Sequence, residues 1–417
     1  MNDAALPLPD WLARLETLSP TEINMGLERV ARVLARLALP RPALVIHVAG
    51  TNGKGSSVAM LESLLRTTGN RIGCYTSPHI IHYNERIRVD GHVARDEQIV
   101  AAFERIEAVR DNEALTYFEF GTLAALLVFA EEGVETAILE VGMGGRLDAV
   151  NAVEPDAGLI TNIALDHCAW LGDNVEAIAF EKAGIMREDK PLVFGAREVP
   201  AAIERQAELV GANLLVAGRD FDWTIHGDRW SWQSRSQRLD SLGKPALRGE
   251  HQCGNAAGVL AVLEAIDLAL DAERVNDAFR CLRLDGRIQE LDRGARWLLD
   301  VAHNPAAAVV LAEELRAEAV AGKTIAILAM LDDKDVEGCV TALQDQVDYW
   351  IAATADSPRA IAAAELARRV ANATDSACQV ADSVDDAMDR SRTLAETGDR
   401  VLVTGSFYLV GPVLERL

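Results

Sequence analysis

The stretch Ala43-Leu44-Val45-Ile46-His47-Val48-Ala49-Gly50-Thr51-Asn52-Gly53-Lys54-Gly55-Ser56 decides how this chain is read. An apolar run, consistent with a buried strand, enters a glycine loop that carries a lysine. Val58 to Leu65 follows with helical spacing. Strand, glycine loop with lysine, then helix is the arrangement that cradles nucleotide phosphates. Glycines let backbone N–H groups approach the oxygens, the helix N-terminus adds partial positive charge, and the lysine meets the terminal phosphates. The match to the usual consensus is incomplete: Val48 stands where a glycine is usual, and Gly55 where a hydroxyl normally holds Mg²⁺. That hydroxyl must come from Ser56, Ser57 or another loop. The alternative is a plain glycine turn with a solvated Lys54.

Working outward, strand-like and helix-like segments alternate along most of the 417 residues. Strands are predicted at 43–49, 71–75, 135–141, 157–163, 191–195, 213–217, 296–301, 323–330, 348–353 and 400–404, with helices between most of them. Such alternation implies parallel sheets covered by helices on both faces. Residues 221–238 instead alternate with period two around His226-Gly227-Asp228, which predicts an antiparallel hairpin or subsheet. A helix ends near Leu284-Asp285-Gly286-Arg287, and a new βαβ series starts at Trp297. The expected domains are therefore 1–285 and 286–417.

Composition narrows the class. Hydrophobic content of 49% and charged content of 25% suit a soluble globular protein. A net charge of −23 argues against a nucleic-acid partner, which needs a basic stripe. The six cysteines form no C-x-x-C pair, so a reduced, cytoplasmic protein is expected. No secretory signal is indicated at the start, and no apolar stretch is long enough for a membrane span.

Four further clusters end predicted strands. Tyr75-Thr76-Ser77-Pro78-His79 offers Ser77 as the missing hydroxyl, unless this is an ordinary proline turn. Glu140 closes an apolar run and precedes Val141-Gly142-Met143-Gly144-Gly145, a natural place for a Mg²⁺ carboxylate. Those glycines lack the spacing of a dinucleotide fingerprint, because Leu147 occupies the third position. In Ile160-Thr161-Asn162-Ile163-Ala164-Leu165-Asp166-His167, His167 is a candidate ligand with Asp166 to orient it; a merely hydrogen-bonded pair is the alternative. Leu298-Leu299-Asp300-Val301-Ala302-His303 repeats the pattern in the second half, with Arg287 as a candidate anion contact. Lys182, with Ile178 and Ile185 nearby on a helix, is a partly buried amine or an ion-pair partner.

Together these stretches resemble folylpolyglutamate synthase/dihydrofolate synthase, a branch of the ATP-dependent ligase superfamily that includes the Mur ligases. GTNGKGS at 50–56, YTSPH at 75–79, NERI at 84–87, TYFEFGTLAAL at 116–126 and EVGMGGRLDAVN at 140–151 carry the likeness. ITNIALDH at 160–167, EKAGI at 181–185, HQCGNAAG at 251–258, DVAHNP at 300–305 and GSFYLVG at 405–411 complete it in family order. The resemblance implies a P-loop Mur-ligase-like parallel-sheet α/β domain with a small antiparallel subsheet, followed by a smaller Rossmann-like α/β domain. It implies that Gly50, Thr51, Asn52, Gly53, Lys54, Gly55 and Ser56 bind ATP phosphates. Asn255, Arg287, Asp300 and His303 match positions that hold nucleotide across the domain cleft. Ser77, Glu140 and His167 match Mg²⁺ ligands, with two ions implied. Lys182 matches a lysine that carries a carbamate and bridges toward the second metal. Lys54, Lys182 and His167 are the implied catalytic residues. Thr116, Phe118, Asp148 and Ala149, with Glu22, Ile23 and Asn24 as a weaker match, fall on the pterin-side pocket. One departure is Asp285-Gly286-Arg287, where the family often has Pro-Gly-Arg.

The implied activity is ATP-dependent addition of L-glutamate to dihydropteroate and to the γ-carboxylate of reduced folates, by a cytoplasmic monomer working on small molecules in one-carbon metabolism. The rivals are a Mur-type amino-acid ligase of peptidoglycan synthesis and a non-catalytic nucleotide-binding regulator.

Overall fold

A computed structural model describes residues 6–18, 25–374 and 376–417. The chain forms two compact units, one of residues 1–163, 174–245 and 253–282, the other of 164–173, 246–252 and 283–417. Among the described residues no helix is long and apolar enough to cross a membrane.

In the first unit, helices α1 (Leu8–Leu18) and α2 (Glu28–Leu37) precede the strand that opens the phosphate-loop motif, β1 (Leu44–Ala49). Helix α3 (Lys54–Arg66) leads to β2 (Ile72–Tyr75), β3 (Ile87–Val89) and β4 (His92–Val93). Helices α4 (Asp96–Val109) and α5 (Tyr117–Glu131) lead to β5 (Thr136–Glu140) and β6 (Ala157–Ile160). Strand β7 (Pro191–Phe194) and β8 (Asn213–Val216) complete a sheet ordered β4-β3-β2-β5-β1-β6-β7-β8. All pairings from β2 to β8 are parallel, while β3 and β4 run antiparallel at one edge.

Continuous apolar runs form these strands because both faces are covered: Val45, Ile46, Val48 and Ala49 are all fully buried. Helix α5 is apolar on every side and buried from Glu119 to Phe129, so it packs inside the unit rather than on its surface. The predicted hairpin is present as β9 (Phe221–His226) and β10 (Arg229–Ser234), joined by a third antiparallel strand, β11 (Arg238–Gly243).

Strand β1 lies between β5 and β6, with the chain leaving it first toward β2 and later toward β6. This is the switch point of a doubly wound sheet, where strand connections diverge and open a crevice at the carboxyl ends. Gly50, Ser77, Glu140 and Thr161 all follow or end strands at that edge, and registry sets Val48 opposite Glu140 and Ala49 opposite Ile160.

The second unit has its own sheet, ordered β12-β13-β17-β14-β15-β16. Its strands are β12 (Gln289–Asp292), β13 (Arg296–Leu299), β14 (Thr324–Leu328), β15 (Tyr349–Ala352), β16 (Cys378–Val380) and β17 (Arg400–Thr404). Only β12 is antiparallel. Segment 246–252 is tied into this unit by Arg248, which pairs with Glu290 at 2.6 Å and also with Glu318.

Candidate active site

The phosphate-loop motif is built so that two of its glycines cannot be replaced by another residue. Gly50 has φ +144°, and a Cβ there would lie 1.8 Å from Thr161 Oγ1. Gly53 has φ +84°, and a Cβ would come within 2.6 Å of Asn255 Oδ1. Both positions combine a backbone conformation that favours glycine with a close neighbour. The loop is fastened to the end of β6: Thr51 N–H donates to Asn162 O at 3.0 Å and Asn52 N–H to Asn162 Oδ1 at 3.1 Å. Thr161 Oγ1 and Asn162 Nδ2 both donate to Asn52 O, at 2.6 and 2.9 Å.

Two lysines meet on this loop. Lys54 Nζ donates to Gly50 O and Thr51 O, each at 3.1 Å. Lys182 Nζ, only 4% exposed, donates to the same Gly50 O at 3.0 Å. The two side chains thereby brace the same backbone carbonyl at the start of the loop. Glu140, buried at the end of β5, accepts from Ser77 N–H at 3.2 Å, so carboxylate and serine sit together. The Ser77 loop is fixed by Glu85, whose carboxylate accepts from the backbone N–H groups of Ile80, Ile81 and His82 at 2.6–2.9 Å. The Ser77–Pro78 peptide is cis.

The described residues expected on the pterin side also converge. Thr116 caps α5 in a reciprocal box: its hydroxyl accepts from Glu119 N–H at 3.3 Å, and Glu119 accepts from Thr116 N–H at 2.7 Å. The Phe118 ring occupies the space a Cβ on Gly142 would need, which brings the 142–150 loop onto the start of α5. Asp148 accepts from Met143 N–H at 2.9 Å and Val150 N–H at 3.0 Å. Burial nonetheless dominates and pushes its carboxyl up to about 7, against the pull of those donors and Lys54. Ala149 is buried beside it. Glu22, Ile23 and Asn24 lie outside the described residues.

In the second unit, Asp300 has both oxygens engaged by backbone, from Ile288 N–H at 2.9 Å and Ala302 N–H at 2.8 Å. It thereby fixes the turn carrying Arg287, whose guanidinium lies 5.1 Å from the centre of the Phe407 ring. His303 stands 5.9 Å from the same ring, and its Nδ1 bonds Val301 O at 2.8 Å. His167 belongs to this unit, in a left-handed conformation (φ +52°) at the start of the short helix α6 (Cys168–Leu171). Its Nδ1 is 3.8 Å from Asp333. Asp166 accepts from Lys334 Nζ at 2.6 Å and Asn304 Nδ2 at 3.1 Å.

Lys334, Asp333, Phe407 and Asn162 stand beside the candidate residues without a role readable from the sequence. Asn162 lies in the ITNIALDH stretch and Phe407 in GSFYLVG. Lys334, in Asp332-Asp333-Lys334-Asp335, reads as one of many surface charges until its burial is known. Among the described residues no three His, Cys, Asp or Glu side chains form a ready metal cage.

Comparisons with known proteins bear directly on this arrangement. The Mur ligase middle domain family matches residues 48–263, and the Mur ligase, glutamate ligase domain family matches 286–407. The dihydrofolate synthase/folylpolyglutamate synthase of Escherichia coli K12 is 40% identical over 413 residues, covering 99% of this chain and 96% of the relative. The Haemophilus influenzae protein of the same name is 38% identical, covering 98% and 97%. The structure of E. coli FolC in complex with DHPP and ADP superposes with a TM-score of 0.94 at 40% identity, covering 100% and 99%. A bifunctional folylpolyglutamate synthase/dihydrofolate synthase with Mn, AMPPNP and L-glutamate bound gives 0.91 at 39%, covering 99% and 98%. With its paired phosphate-loop lysines, its two α/β units and this match over nearly its whole length, the chain belongs to the dihydrofolate synthase/folylpolyglutamate synthase family of Mur ligases.

Proposed function

We propose that this chain is an ATP-dependent ligase that joins L-glutamate to dihydropteroate and to the γ-carboxylate of reduced folates. The observation that carries the reading is the phosphate loop, where Lys54 and Lys182 converge on Gly50 O. Similarity to an E. coli protein bound to DHPP and ADP supports the choice of substrate over a peptidoglycan precursor.

A free carboxylate is a poor acylating agent, so an oxygen of the substrate carboxylate attacks the γ-phosphorus and ADP leaves. The resulting acyl phosphate is attacked at carbon by the glutamate amine, which gives up a proton; phosphate departs and an amide remains. Gly50–Ser56 would hold the triphosphate by backbone N–H groups, and Lys54 would offset charge on the transferring group. Asn255, Arg287, Asp300 and His303 are proposed on the nucleotide, and Thr116, Phe118, Asp148 and Ala149 on the pterin. The domain boundary is proposed at 285/286.

A carboxylate, a hydroxyl and an imidazole fit a divalent cation that completes its shell with phosphate oxygens and water. Ser77, Glu140 and His167 would hold Mg²⁺, which neutralises phosphate charge when bound. Lys182 is proposed to carry a carbamate. Its nitrogen would keep one N–H for Gly50 O while the added carboxylate turns a cation into an anion beside Lys54.

The test is phosphate release from ATP with dihydropteroate or tetrahydrofolate, each with and without L-glutamate. Release that requires both the pteridine acid and glutamate is expected. Glutamate-independent release, or activity only with UDP-linked peptide precursors, would overturn the reading. A cytoplasmic monomer is the proposed working form.

A further inference from the structure

The second unit contains a buried charge cluster that no step above uses. Lys334 is 8% exposed and Asp166 9%, and their side chains meet at 2.6 Å. Three loops converge there. Asp166 lies on the 164–173 segment, Asn304 follows β13, and Lys334 follows β14. The carboxylate of Asp166 is shared: Lys334 and Asn304 donate to it, the backbone N–H of His167 donates at 2.8 Å, and His303 Nε2 lies 3.4 Å away. Lys334 also lies 3.5 Å from Asp333, which Arg359 holds at 3.2 Å and which faces His167 Nδ1 at 3.8 Å. Two carboxylates and two permanent cations thus balance, and they surround the backbone and one ring edge of His167.

We infer that Lys334 is a positioning residue for His167. Its ammonium ties Asp166 and Asp333 together and so sets both the backbone turn and the ring orientation of that histidine. Asp333 faces the imidazole at 3.8 Å, on the side where an outer carboxylate orients a metal-binding ring. A long, flexible side chain buried between two acids is costly unless geometry is fixed by it. The inference rests on the proposed role of His167 as a metal ligand.

The experiment measures Mn²⁺ binding by electron paramagnetic resonance in the ADP-saturated full-length protein, with melting temperature alongside. Variants are Lys334→Met, the neutral pair Asp166→Asn/Lys334→Met, and His167→Ala. Lys334→Met should weaken Mn²⁺ binding by about 10- to 100-fold, the range for loss of such an outer partner. The double variant, which leaves no uncompensated charge, should fold like the parent yet stay weak toward Mn²⁺. A purely structural role would instead lower the melting temperature and leave Mn²⁺ affinity intact. A folded Lys334→Met or double variant that binds Mn²⁺ within about twofold of the parent therefore overturns the inference while the His167 assignment stands. Undiminished Mn²⁺ binding by His167→Ala overturns that assignment, and the inference with it.

Discussion

Both units present polar residues at the carboxyl edge of a parallel sheet, but they treat charge in opposite ways. At the edge of β1 the phosphate loop gathers two ammonium groups around a carbonyl oxygen and holds itself together with neutral hydrogen bonds from Thr161 and Asn162. Near the edges of β13 and β14 acids stand beside opposite charges, buried Asp166 with Lys334 and half-buried Asp333 with Arg359. The first edge brings two lysines to one carbonyl oxygen, whereas the second sets a lysine against two acids. Removing a charge should therefore impair chemistry in the first unit and, in the second, disturb both the fold and the placement of His167.

The largest effect is expected at Lys182. Lys182→Ala should reduce glutamate-dependent phosphate release by about 10³-fold or more, the scale on which a single electrostatic group acts in a dry site. Its melting temperature should change little; a variant with near-parental turnover would break the contrast. Asp166→Asn is the mirror case. It leaves Lys334 buried with only the more distant Asp333 as an acid, and loss of the close partner of a buried pair costs about 3 to 5 kcal/mol, measurable by urea titration. If that variant unfolds like the parent, the second edge is not a self-balanced cluster.

Gly50→Ala sharpens the first half of the contrast. The added methyl collides with Thr161 and the φ of +144° disfavours it, so nucleotide affinity measured by ADP titration should fall more than global stability. Asp148 supplies a pH signature. Its carboxyl is raised to about 7 in the folded chain against an ordinary 3.8. The folded state therefore favours the protonated form, and that stabilisation is fully present below pH 4 and lost as pH rises through 7. The loss reaches about 4 kcal/mol at most. Asp148→Asn should flatten this decline in melting curves of the ligand-free protein between pH 4 and 8. The smallest expected effect lies at His47, fully buried on β1 with no partner at either ring nitrogen, where burial lowers its titration to about 3. Unfolded chains take up the proton below about 6.5, so stability is lost as pH falls from there toward 3. His47→Leu should recover about 2 kcal/mol at pH 5.

Much of this was legible in the chain. Strands such as 44–49, 136–140 and 400–404 are short continuous apolar runs, and that signal survives because parallel strands are buried on both faces. The phosphate loop was readable because glycine, lysine and their spacing have a backbone cause. Helix α2 carries a helical pattern, with Val30, Val33 and Leu37 on its buried face. The edge strands β3, β4 and β12 were not legible because they are brief or polar, and their form comes from tertiary pairing rather than local pattern. Lys334 was illegible for a similar reason. Its neighbours Asp333 and Asp335 suggest solvent, and only the meeting of loops far apart in sequence buries it.

Helix α5 has a consequence for how substrate enters. Its first turn carries Thr116 and Phe118, while the following eleven residues are enclosed on all sides. A rod seated that firmly offers no hinge, so the wall it is proposed to give a pterin pocket is rigid before any ligand arrives. Binding there should resemble a key meeting a finished lock, with little ordering entropy charged to the encounter on that side.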